Sequence, residues 1–152
     1  IVNTALGLAW PYTGHGREQQ DATPTYQEAM PKYNGSTSAI PSSDCGVFVA
    51  TVMVSSGADA NYPKRSTPVQ QQYILDHPEL YQTFSNVTST AQLKTGDILV
   101  NSQHTYIYVG NQPNGYNSVA ASLHTHVPEP SNAFFSENGE PFMVARLIKA
   151  GP

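Results

Sequence analysis

One cysteine, one tryptophan and only seven lysines and arginines stand in this 152-residue chain, and each shortage excludes something. A lone cysteine rules out an internal disulfide and any multi-cysteine metal site. The net charge is −4, with 11 acidic residues against 7 basic ones and no basic cluster. Phosphate binding normally needs such a cluster, so nucleic acid is not an expected partner. No apolar run approaches the roughly 18 residues that a membrane span requires. There is no internal repeat, no heptad and no glycine-rich phosphate loop. Glu129 and Glu137 fall in expected loops, and nothing in the sequence couples them as an acid and a base.

What is present is 39% apolar residues, with twelve prolines, eleven glycines and nine tyrosines. That mixture points to a loop-rich fold with short elements rather than a helical bundle. The length suits one domain over 1–152, and a monomer is expected. Few lysines among many Ser, Thr, Asn, Gln and Tyr suggest an extracellular surface. A chain that starts at Ile1 without methionine suggests a mature or excised piece. A secreted protein is therefore the expectation.

Thr4 to Trp10 reads as the end of a short helix stopped by Pro11. His15 to Ser43 is polar and rich in Gly, Pro and Ser, and is expected to be a long surface excursion with one helical turn after Pro24. Ser43 or Asp44 then caps a helix to about Ser56, closed by Gly57. Val47, Phe48, Val49, Ala50, Val52, Met53 and Val54 make this helix apolar all round, hence buried. A second helix begins at Thr67-Pro68 and ends before Pro78. Beyond Gly96 the pattern turns to strands at Asp97 to Val100, Thr105 to Val109, Ser118 to Ser122 and Phe142 to Leu147. Helices first and an antiparallel sheet of about five strands second make an α+β domain.

Cys45 falls in the first turn of the buried helix. Partial positive charge at a helix start favours a thiolate, which is the reactive form of cysteine. The same N–H groups suit a developing oxyanion. A small buried hydrophobe is the other use of such a residue. His104 stands at the mouth of a strand, where an imidazole is able to serve a thiol on a helix packed across the sheet. His124 and His126 share one side of an expected strand, without a carboxylate or cysteine to complete a metal set, and no metal is expected there. His15, between two glycines, edges the groove or is an ordinary loop residue.

Three blocks resemble the NlpC-type peptidases, papain-like bacterial cell-wall hydrolases related to CHAP amidases. Ala5 to Gly14, reading ALGLAWPYTG, resembles the opening block. Asp44-Cys45-Gly46-Val47-Phe48-Val49 resembles the nucleophile block. Leu93 to Ile98 followed by His104-Thr105-Tyr106-Ile107-Tyr108 resembles the Gly-Asp and histidine blocks. The resemblance implies a papain-like fold, no cofactor, and cleavage of an amide bond in peptidoglycan or its stem peptides. It implies Cys45 as nucleophile, His104 as base, and Tyr12 and Asp44 as substrate-binding residues. Two departures accompany it. Gly46 and Val47 replace the family's Ser and Gly, and Ala120 stands where a histidine-orienting polar residue belongs. Ser122, two residues on and so on the same face, is the expected substitute, with Asn117, His124 and His126 as rivals. The alternatives to a wall hydrolase are the same scaffold acting on another amide, and a non-catalytic binding module on a decayed site.

Overall fold

In the computed structural model, which describes residues 1–16, 18–34, 45–121 and 127–149, the run read as a buried helix forms α3, Cys45–Ser55, with residues 45–53 all buried. A helix with no polar face must be enclosed on all sides. Here α1 (Val2–Leu8), α2 (Pro24–Asn34) and α4 (Thr67–Leu75) pack around it, and strands β3 (Thr105–Tyr108) and β4 (Ser118–Ala120) form its floor. The helix after Pro24 runs for 11 residues, three turns instead of the single turn expected. Its buried Tyr26, Ala29 and Met30 supply the reason, since they pack in the core with α3.

The sheet has six strands, in the order β1-β8-β2-β3-β4-β5, all neighbours antiparallel. They are β1 (Tyr81–Phe84), β2 (Ile98–Val100), β3 (Thr105–Tyr108), β4 (Ser118–Ala120), β5 (Glu129–Ser131) and β8 (Met143–Leu147). A separate hairpin pairs β6 (Ser136–Glu137) with β7 (Glu140–Pro141). The chain is thus an α+β domain. Its sheet gains β1 and β5, two edge strands that had no alternating apolar pattern to announce them. Glu129, read as a loop residue, opens β5 and is buried.

Side-chain alternation along the strands gives the sheet two apolar faces. Ile98, Val100, Ile107, Val109, Val119 and Ala145 pack toward the helices. Leu99, Tyr106, Ala120 and Val144 point the other way, under Phe142 and the 133–135 segment. Tyr106 is fastened there by a hydrogen bond to the Phe134 carbonyl at 2.6 Å and one from the Phe134 N–H at 2.9 Å.

The far end of α3 closes at Gly57, whose φ of +77° favours glycine at a helix end. Beyond it, Asp59 is fully buried and accepts hydrogen bonds from the hydroxyls of Tyr73 of α4 and Tyr81 of β1, each at 2.8 Å, and from the Asn61 N–H. Burial first, and the bond to Asp59 second, push both tyrosine hydroxyls well above their ordinary value of 10. Folded-state values raised in this way contribute stability below pH 10 that is lost as pH rises above it. Replacing Asp59→Ala strands the buried Tyr81 hydroxyl and the half-buried Tyr73 hydroxyl, and a buried hydroxyl left unpaired costs about 1–3 kcal/mol. The expected loss is about 3 kcal/mol in urea unfolding, against about 1 kcal/mol for Tyr73→Phe. Equal midpoints for Asp59→Ala and the parent would show that the cluster does not hold these elements together.

Candidate active site

Cys45 is the first residue of α3, a thiol outside any disulfide with 8% of its surface exposed. Its position follows from the apolar run behind it, which drives the helix inward and leaves its start at the edge of the core. Gln70 of α4, fully buried, donates from Nε2 to the Gly46 carbonyl at 2.8 Å and so fixes the first turn of α3. One turn earlier on α4, the Thr67 hydroxyl donates to the Ser102 carbonyl at 2.8 Å. Residues three apart share a helix face. A single face of α4 therefore clasps both the start of α3 and the turn that leads into His104.

That turn is built by Asn101, which no part of the sequence reading singled out. Its buried side-chain oxygen accepts the Gln103 N–H at 2.8 Å and the His104 N–H at 2.9 Å, and its Nδ2 donates to the Glu140 carbonyl at 2.9 Å. An Asn that binds the backbone two residues on is a turn signal. Among many Asn and Ser residues in this chain it carried little weight. Glu140 completes the tie, accepting the Ser102 N–H at 2.9 Å and the Ser102 hydroxyl.

His104 is buried, with 7% exposed. Its ring stacks at 27° on Phe134 with centroids 5.8 Å apart, and lies 6.1 Å from Tyr106 and 6.3 Å from Phe142. The Gly96-Asp97 pair of the same block has an architectural use. Gly96 takes a φ of +93°, and buried Asp97 accepts both Nε at 2.9 Å and Nη2 at 2.8 Å of Arg146, joining the β2 entry to β8. That contact raises the Arg146 guanidinium further above its ordinary range.

The strand register collects a rim at one end of the sheet. His104 precedes β3, Ala120 ends β4, and Glu129, paired with Ala120, opens β5. Two strand spacings, about 10 Å, separate the His104 and Glu129 strands. Glu129 is 96% buried by its 4% exposure, and its Oε2 accepts from the His15 N–H at 2.9 Å and contacts the His15 Nδ1 at 2.8 Å. The His15 ring lies parallel to Trp10, 3° off with centroids 4.3 Å apart, and Tyr12 sits 5.0 Å away. Trp10 is pinned in turn, donating from its indole to the Asp21 carbonyl at 2.7 Å and from its N–H to the Pro128 carbonyl at 3.0 Å.

Of the expected site residues, Cys45 and His104 are thus tied to one rim through α4, and Tyr12 reaches the same rim through His15. Asp44, Ser122, His124 and His126 lie outside the described residues. Asn117 stands at the opposite end of β4, where its side-chain oxygen accepts the Ala133 N–H at 2.8 Å and its carbonyl accepts the Val109 N–H. Among the described residues there is no group of three metal-capable side chains, and no helix long and apolar enough to cross a membrane. A cavity of about 290 Å³, lined by Leu6, Trp10, Pro11, Val109, Tyr116 and Pro130, is apolar and contains neither Cys45 nor His104. No family model matches the chain, and neither a curated protein nor a solved structure matches it.

The Glu140 carboxyl is held below its ordinary value of 4.5, first by the Ser102 hydroxyl and then by the Ser102 N–H. A depressed folded-state value means that the tie is present above that pH and lost as pH falls. Amide exchange at Ser102, corrected for the intrinsic rate, is expected to accelerate in the parent over the interval below the ordinary carboxyl value of 4.5. In Glu140→Ala it should be fast across that whole interval. Parallel exchange curves for the two proteins would remove Glu140 as the clasp of this turn.

Proposed function

We propose that this chain is a papain-like cysteine hydrolase that cleaves an amide bond in peptidoglycan, within the stem peptide or at its junction with the sugar. The observation that carries the reading is the clasp. A thiol opens a helix buried from Cys45 through Met53, and one face of α4 ties that helix start to the turn delivering the first histidine of the sheet. The ordered blocks around Tyr12, Cys45, Gly96-Asp97 and His104 support the same reading.

In this scheme His104 takes the proton of the Cys45 thiol. The thiolate attacks the amide carbonyl, and the N-terminal N–H groups of α3 receive the oxyanion. The C–N bond breaks as its nitrogen takes a proton, releasing an amine and leaving a thioester, which water hydrolyses to the acid as the Cys45 sulfur departs. Ser122 and Asp44 keep the roles the resemblance implies, orienting His104 and holding substrate beside Tyr12. No cofactor takes part, and a secreted or wall-associated monomer fits the substrate.

One observation favours a second reading. The His104 ring is packed among Phe134, Tyr106 and Phe142, on the sheet face away from the helices. A histidine used only for packing would make the protein a binding module on a decayed hydrolase scaffold. The pH dependence of Cys45 alkylation by iodoacetamide separates the two. In the hydrolase the thiol reacts with an apparent pKa well below the free value of about 8.5, and His104→Ala abolishes that advantage. The same preparation should release new amine groups from purified cell walls. A thiol inert until unfolding, with wall binding and no amine release, would establish the binding module.

A further inference from the structure

The rim carries a second imidazole whose setting is unlike that of His104. The His15 ring sets its Nδ1 2.8 Å from the Glu129 Oε2. The ionised carboxylate is an acceptor only, and assigns the ring proton to Nδ1. Nε2, the other ring nitrogen, has no hydrogen-bond partner among the described residues. His15 keeps 17% of its side chain exposed while Glu129 keeps 4%. Stacking on Trp10 and the approach of Tyr12 leave the ring little rotational freedom. His77, by contrast, turns its Nδ1 to the Tyr73 carbonyl and lies against the Tyr73 ring, an ordinary structural setting.

Glu129 adds a second observation. Its Oε1 is buried and has no hydrogen-bond partner among the described residues. Native proteins rarely leave a buried acceptor unpaired, and those that persist need an account. A base oriented by a buried carboxylate is the arrangement that proton-transfer sites use. Here the imidazole is presented at the rim, and the carboxylate behind it serves no other described group.

We propose that His15 is a catalytic acid and base of this site and that Glu129 is its positioning residue. The proposal rests on the amide-hydrolase reading and assigns the leaving-group half of the reaction to this second imidazole. As the C–N bond breaks, protonated His15 gives its Nε2 proton to the departing amine nitrogen and becomes neutral, keeping Nδ1–H on Glu129. A water molecule entering in place of the amine then loses a proton to Nε2 as its oxygen attacks the thioester carbon. Cys45 leaves as the thiolate, the acid product is released, and His15 is protonated again. The sum is one amide and one water converted to one acid and one amine.

The test is amine release from purified cell walls by the parent, His15→Ala and Glu129→Gln, together with iodoacetamide alkylation of Cys45 in each. His15→Ala should lose at least tenfold in turnover and keep the parent's alkylation profile, because the thiol is activated elsewhere. Added imidazole should restore part of the lost rate, which repair of a purely structural defect would not do. Glu129→Gln should lower kcat at least tenfold with little change in KM. A parent that cleaves walls while His15→Ala stays within twofold of it would overturn this inference and leave the hydrolase reading standing. A loss in His15→Ala that imidazole does not restore would also overturn it. A parent that releases no amine would overturn the hydrolase reading, and this inference with it.

Discussion

The helix that begins at Cys45 has no face suited to water, and its enclosure sets the terms for everything around it. Nine consecutive buried residues, 45–53, need neighbours on every side. Three helices and the floor of the sheet supply them. Enclosure creates a second demand, because buried helix ends expose backbone groups that must find partners. At the end of α3 the Asp59 N–H answers by donating to the Met53 carbonyl, while Gln70 grips the Gly46 carbonyl at its start. Tyr73 and Gln70 both belong to α4, so one short helix braces the buried one near both extremities. Fully apolar packing supplies most of the stabilisation, while a few buried polar contacts decide where the ends stand.

The same bracing explains how a reactive thiol and a distant histidine come to share a rim. Cys45 and His104 are separated by most of α3, all of α4 and two strands. Their neighbouring carbonyls, on Gly46 and Ser102, are nevertheless held by residues one helical turn apart. The arrangement is economical in conformational freedom. Rigid elements set the rim before any ligand arrives, which is the condition for effective positioning of reacting groups.

Much of this was legible in the chain itself, for reasons that differ from element to element. The all-round apolar run from Val47 announced both the helix and its burial, and Thr67-Pro68 announced the next helix. The β-branched runs near Ile98, Thr105 and Val144 announced strands. The segment after Pro24 hid a three-turn helix, because its sequence, PTYQEAMPKYN, has a weak apolar stripe and an internal proline. Packing of Tyr26 and Met30 against α3 outweighs that local weakness. Strand β5 reads Glu-Pro-Ser, and only the ladder with β4 makes it a strand. The His15–Glu129 contact joins residues 114 positions apart. No local pattern encodes such a contact, so a glutamate in an apparent loop gave no sign of its burial.

Strand β5 has one further consequence, for how copies of this protein meet in crowded surroundings. It is an outer edge of the sheet, where unpaired N–H and C=O groups invite a foreign strand. Ser131 turns its carbonyl inward, to the Asn117 N–H, and alternation along the strand therefore aims the Pro130 backbone outward. Proline has no N–H to offer. The outward edge of this three-residue strand thus lacks a donor at its centre. A sheet that ends on proline resists extension by strand addition, and the residues that open its rim are kept from being covered by another chain's backbone.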